Sequence, residues 1–166
     1  MGGPSSERDI SIKSGKAVCK ALEAREIDCV PVELVSGSNS DGYRRLVAAE
    51  LALVDIDIAF IALHGEFGED GTVQDLLEKM NIPYTGSSSR ASKAAMNKIT
   101  AKEVFRSHNV PIARHEVLAR SSFNKNCDIN AYFKLLGPIL VVKPSNGGSS
   151  IGLNIADNEK ALKAAI

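Results

Sequence analysis

Residues 141–152 hold the combination of side chains with the clearest chemical purpose. An apolar run, Val141-Val142, delivers Lys143 to the mouth of a Gly/Ser loop, and a second apolar run begins at Ile151. One fixed cation, backbone N–H groups made approachable by Gly147 and Gly148, and the hydroxyls of Ser149 and Ser150 form a phosphate grip. A lysine that ends an apolar strand is out of place as an ordinary solvated residue. The lysine precedes the glycines, the reverse of a Walker A loop, so a different nucleotide fold is implied. Sixteen residues follow Ser150, and most of the wall facing this loop is expected to lie outside the sequence.

Two other loops carry reactive groups. His64 to Gly71 follows the most buried-looking apolar run, and ligands of open sheets bind beyond the carboxyl ends of strands. His64 is placed to touch a ligand or to orient Glu7. Glu66, Glu69 and Asp70 have either a metal-binding or a plain solvated reading, and no His/Cys set at zinc spacing accompanies them. The Gly2-Gly3-Pro4-Ser5-Ser6-Glu7-Arg8 turn opens a helix without a GxGxxG fingerprint. Its N–H groups suit a carboxylate or phosphate, Glu7 suits an ammonium group, and simple capping is the third reading. Lys98 sits in a helical stretch with Lys93 and Lys102, where a lysine is usually solvated. His108 and His115 lack partner motifs and are read as surface residues.

These loops need a scaffold. At 166 residues the chain is long enough for one domain or two small ones. Twenty basic residues balance twenty acidic ones, so no basic stripe argues for nucleic acid. No apolar run reaches transmembrane length and the N-terminus lacks a signal-peptide core, so no membrane partner is expected. Cys19, Cys29 and Cys127 are odd in number and form no CxxC pair, which fits a reduced, cytoplasmic setting with thiols in the core or on the surface.

The pattern predicts a helix capped by Ser5 and Ser6, with Glu7 in its first turn and Ile10, Ser14, Ala17, Val18, Ala21 and Leu22 on its apolar face. A strand is expected at 29–35, a loop at 36–42 and a helix at 43–53. Residues 56–63 read as a parallel strand covered on both faces. Residues 72–80 form a helix, and 82–86 a short strand and turn. Residues 87–108 read as helical, 110–118 as a strand, 120–130 as loop and 131–136 as helix. Strand, loop, strand and a last helix from Glu159 complete the chain. Alternating strands and helices indicate an α/β fold, with a domain boundary near residue 90. Because the chain opens at a glycine turn that normally follows a strand, the first strand is expected to be missing.

Taken together, residues 2–11 (GGPSSERDIS), 61–74 (IALHGEFGEDGTVQ), 82–87 (IPYTGS), 91–98 (ASKAAMNK) and 142–152 (VKPSNGGSSIG) resemble, in order, the D-alanine–D-alanine ligases of the ATP-grasp superfamily. The resemblance covers nearly the whole chain, and its HGxxGEDG run is specific to this group. It implies a Rossmann-like (pre-ATP-grasp) parallel-sheet domain over residues 1–90. The first part of an ATP-grasp α+β domain, truncated, would fill 91–166.

The resemblance also implies a reaction, in which ATP phosphorylates one D-alanine and the amine of a second attacks the acyl phosphate. Glu7 matches the glutamate that orients the first ammonium group, in a network that includes Ser149. His64 matches a histidine beside the same substrate. Lys98 and Lys143 match the lysines on the ATP phosphates, with Gly148 and Ser150 beside them. Mg2+, or Mn2+ in its place, would be held by carboxylates expected in the missing C-terminal part. The full-length family commonly forms homodimers, and its product feeds peptidoglycan synthesis. Asp75, Asn97 and Gly147 depart from the usual small, aspartate and acidic residues. The rivals are a ligase that uses D-lactate or D-serine as acceptor and a non-catalytic binding module. This chain by itself is expected to lack ligase activity and to expose strand edges.

Overall fold

A computed structural model describes residues 1–37, 40–119 and 128–166. The chain divides into two compact units, Met1–Met96 and Asn97–Ile166.

The first unit is organised around two short parallel pairings. Residues 1–3, read from the sequence as the opening of the turn, pair in parallel with residues 32–34. The Met1 ammonium donates to the Val32 carbonyl (2.8 Å), Leu34 N–H to Met1 (2.9 Å) and Gly3 N–H to Leu34 (3.1 Å). The second pairing joins Ala59 to Tyr84, with Ala59 N–H donating to Pro83 and Thr85 N–H to Ala59. The expected strands at 29–35 and 56–63 thus reduce, among the described residues, to single parallel bridges. The second run is not covered on both faces either. Ala62 and Leu63 are buried, whereas Ile58 and Phe60 are 60% and 54% exposed.

Helix α1 spans Arg8–Glu23. Its N-cap is Glu7, not Ser5 or Ser6, and Glu7 stands before the first turn, not within it. The Ser5 hydroxyl accepts the Glu7 N–H (3.1 Å), a local side-chain turn that competes with a cap. The helix period is as expected, but the buried face is rotated from the expected one, of which Ser14, Val18 and Leu22 are half-buried. Ser11 and Gly15 are buried while Ile10 is 55% exposed. Small residues win that face because other chain comes close: a Cβ on Gly15 would lie 2.7 Å from Met1 Cβ.

Helix α2 (Asp41–Ala52) is capped by the Ser40 hydroxyl, and α3 covers Thr72–Lys79. Together they supply Tyr43, Val47, Leu51, Val73 and Leu77 to a core with Leu34, Leu63 and Phe67. The Tyr43 and Phe67 rings meet edge to face, centroids 5.2 Å apart. The helical stretch expected at 87–108 is two helices, α4 (Ser89–Met96) and α5 (Lys98–Ser107). Asn97 separates them because its Oδ1 accepts the N–H groups of Ile99 and Thr100 and so starts α5.

In the second unit, residues 110–118 form no strand. Pro111 removes a ladder donor there. The loop read at 120–130 falls largely outside the described residues, as does Cys127; its last two residues, Ile129 and Asn130, already belong to α6 (Ile129–Leu136), which Asp128 caps. Strands β1 (Leu140–Val142) and β2 (Asn154–Ala156) pair antiparallel, and α7 (Glu159–Ala165) follows. Ile129, Leu140, Ala156 and Leu162 form this unit's core.

Candidate functional site

Within the first unit the Glu7 turn and the His64 loop meet. Gly65 has φ +67°, and a Cβ there would stand 2.5 Å from Ser5 Oγ and 2.6 Å from Glu7 Oε2. Only glycine permits both that backbone and that approach. His64 is held between two groups: Nε2 lies 3.2 Å from Ser14 Oγ, and Nδ1 lies 3.6 Å from Glu69 Oε1. The structure therefore brings Glu7 and His64 into one cluster, and adds Ser5 and Ser14 to it.

Ser11 ties the base of this cluster together. Fully buried, it accepts the Gly2 N–H (2.8 Å) and donates to the Ala62 carbonyl (2.7 Å). One hydroxyl thereby joins the glycine turn, α1 and the run that leads to His64. Arg8 fixes the turn from the other side, donating to the Leu34 carbonyl and to Glu33.

The acidic loop behaves differently from a ligand set. Asp70 accepts the N–H groups of Phe67 (3.0 Å) and Thr72 (2.9 Å), which closes the loop and starts α3. Phe67, at φ +72° and fully buried, is the anchor of that loop. Glu66 is exposed. Among the described residues no group of three or more His, Cys, Asp or Glu side chains is placed to hold a metal ion. A cavity of about 400 Å³ opens beside His64 and Glu69, with Gln74, Thr85 and Ser92 in its lining. Gln74 donates to the Gly68 carbonyl (2.7 Å), while its Oε1 is buried without a hydrogen-bond partner.

The second unit gathers the cations. Lys98 is the first residue of α5, not a mid-helix lysine, and its Nζ donates to the Gly147 carbonyl (2.8 Å). Its N–H donates to Ser145 (2.8 Å), and Asn97 Nδ2 donates to Asn146 Oδ1 (2.9 Å). The start of α5 and the Gly/Ser loop are thus stitched at three points. Lys143 follows β1 directly. Burial, with the neighbouring charges of Lys143 and Arg106, lowers the Lys102 ammonium below its usual range. Cations crowded beside a glycine loop fit an anionic polyphosphate.

The loop is open: nothing lies within 4 Å of a Cβ on Gly147 or Gly148, and Gly147 has φ +104°. Ser149 and Ser150 follow in left-handed conformations, φ 49° and 60°. Such strained positions cluster at ligand clamps.

The sequence departures also find their places. Asp75 faces solvent and pairs with Lys79 at 2.7 Å. Asn97 performs as a cap what an aspartate would. Sequence reasoning missed Ser11, Ser14 and Gln74. Lone polar residues at helical positions give no motif, and the only signal was their interruption of apolar faces.

Comparison with known proteins gives this geometry a family. The model described as "D-ala D-ala ligase N-terminus" matches residues 35–87, and that described as "D-ala D-ala ligase C-terminus" matches residues 104–166. The D-alanine–D-alanine ligase of Geobacter sulfurreducens is 45% identical over all 166 residues, which span 48% of that protein. The crystal structure of D-alanine–D-alanine ligase from Bacillus anthracis superposes with a TM-score of 0.79 at 35% identity, over 99% of this chain and 50% of that one. The same enzyme complexed with ATP gives 0.77 at 35% identity, with the same coverage. The chain spans about half the length of the curated relatives it matches. With both family models matched in order and this identity sustained from end to end, the chain belongs to the D-alanine–D-alanine ligase family.

Proposed function

We propose that these residues form the substrate-side and first phosphate-binding elements of an enzyme that joins two D-alanines into D-alanyl-D-alanine at the expense of ATP. The observation that carries this reading is the approach of the Glu7 carboxylate to the His64 loop at Gly65. A carboxylate held there attracts the ammonium group of one D-alanine. Its orientation presents the substrate carboxylate for phosphorylation. His64, fixed by Ser14 and Glu69, lines the same spot.

ATP supplies the phosphoryl group that turns this carboxylate into an acyl phosphate. Lys98 and Lys143 neutralise the phosphate oxygens, and the N–H of Gly148 and the Ser150 hydroxyl cover them. The amine of the second D-alanine attacks the acyl carbon, phosphate leaves, and the amine gives up a proton. A closed loop keeps water from the acyl phosphate.

The reaction belongs to the cytoplasm and to peptidoglycan synthesis, and the complete enzyme uses Mg2+ and pairs as a homodimer. The 166 residues by themselves, about half the length of their relatives, carry out no ligation; ADP release from D-alanine, ATP and Mg2+ on this chain would contradict that. Among the described residues no helix is long and apolar enough to cross a membrane.

Calorimetry tests the division of labour. ATP binding should be lost in Lys143→Ala while D-alanine binding is kept. ATP binding untouched by that change would overturn the phosphate role. Product analysis of the complete enzyme with D-alanine, D-lactate and D-serine competing decides the acceptor.

A further inference from the structure

The phosphate and substrate clusters leave one reactive pair unused. Cys19, on the last turns of α1, and Cys29, in the segment that leads to the Val32–Leu34 pairing, are both free and half-buried. Their sulfurs lie 3.2 Å apart, with Cys29 donating its proton toward Cys19. Neither belongs to the Glu7–His64 cluster, and neither fills the core formed by Leu34, Tyr43 and Phe67.

We propose that Cys19 and Cys29 form a peroxide-oxidisable dithiol, a reversible modification site at the base of the first unit. A disulfide needs sulfurs about 2.05 Å apart, so closure takes a shift of about 1 Å, within side-chain rotation. The two thiols also differ in role. Hydrogen bonding to Cys19 and burial push the Cys29 thiol up to about 11, which keeps it protonated. Cys29, the donor in the S–H···S contact, is therefore the resolving thiol, and the Cys19 sulfur attacks first.

The step balances with hydrogen peroxide as oxidant. The Cys19 sulfur attacks one peroxide oxygen, the O–O bond breaks, and the departing hydroxide takes up a proton as water. Cys19 is left as a sulfenic acid. The Cys29 sulfur then attacks the Cys19 sulfur, the S–O bond breaks, and a second water leaves with the Cys29 proton. Two thiols lose two electrons and peroxide becomes two waters. A cellular dithiol reverses the bond by exchange. Bridging these residues fastens the end of α1 to the segment whose Val32 and Leu34 pair with Met1 and Gly3.

The test uses the reduced chain treated with hydrogen peroxide, alkylated, cut with trypsin and analysed by mass spectrometry. Residues 17–20 and 26–44 are separate tryptic peptides, and Cys127 lies in a third. The expected result is a cross-linked 17–20/26–44 product, with the chain lighter by about 2 Da and the cross-link restored to two thiols by dithiothreitol. Cys127→Ser should give the same product. Full alkylation of Cys19 and Cys29 after peroxide would overturn the proposal. So would a cross-link that runs to Cys127 or between chains, or one that vanishes in Cys127→Ser.

Discussion

Replacing Gly65 with alanine separates the fold from the site. The new Cβ would stand 2.5 Å from Ser5 Oγ and 2.6 Å from Glu7 Oε2, against about 3.5 Å for ordinary contact. Both neighbours are ends of side chains, so they yield by withdrawing about 1 Å. The fold then bears mainly the left-handed backbone at φ +67°, about 1–2 kcal/mol. The site loses more in kind. For a carboxylate and an ammonium group at an effective dielectric of about 20, moving from about 3 to about 4 Å weakens the attraction by about 1.4 kcal/mol, tenfold in affinity. Gly68→Ala provides the contrast, because its Cβ would meet the Leu63 backbone, 2.8 Å from the carbonyl carbon and 3.0 Å from the oxygen. Backbone cannot step aside, so this change should cost about 1–3 kcal/mol of stability and leave D-alanine affinity per folded molecule intact. Urea unfolding and D-alanine titration of both variants read the two effects. A Gly65→Ala protein that is folded and binds D-alanine as tightly as the parent would refute the role given to Glu7.

Other consequences follow from single contacts. Ser11→Ala should destabilise the first unit by about 2 kcal/mol in urea melts, since it strands the buried Gly2 N–H and Ala62 carbonyl; a change near zero would contradict the linking role. Asn97→Ala should cost about 1 kcal/mol through loss of the α5 cap, whereas Asn97→Asp should match the parent in the same melt, and equal losses in both would count against capping. The Glu78 carboxylate is held below its usual range by the Ser89 N–H, then by the hydroxyls of Tyr84 and Ser89. Its stabilisation is therefore complete above the ordinary carboxylate range and is lost as pH falls through the lowered value. Acid unfolding of Glu78→Gln should show a shallower decline in that window, and superimposable curves would dismiss the network.

The legible parts of this chain were those whose chemistry comes in runs. The loops at 64–71 and 143–150 declared themselves through glycines beside charged residues, and the structure puts Glu7 near the first and Lys98 on the second. Periodicity found α1, α2 and α3 but placed the centre of the buried face of α1 away from Ser11 and Gly15, with Ser14, Val18 and Leu22 half-buried. The closely packed side takes small residues, Ser11 and Gly15, where the chain from Met1 crosses. The Ala/Lys-rich stretch looked continuous because nothing in composition marks one asparagine as a cap. Residues 110–118 have strand-forming side chains, yet a strand requires a partner, and propensity does not contain one. The roles of Ser11, Ser14 and Gln74 left no motif because each works through a contact across dozens of residues or with a backbone carbonyl.

The central claim is that the Glu7–His64 cluster holds a D-alanine and the Lys98–Lys143 loop holds phosphates. Isotope-labelled chain followed by amide NMR during titration tests it directly, even at weak affinity. D-alanine should shift, saturably, the signals of residues 5–8 and 64–65, while ATP shifts those of residues 98–102 and 147–150. Glu7→Gln should abolish the first set alone. No saturable D-alanine shift at tens of millimolar, or shifts that survive Glu7→Gln unchanged, would contradict the account.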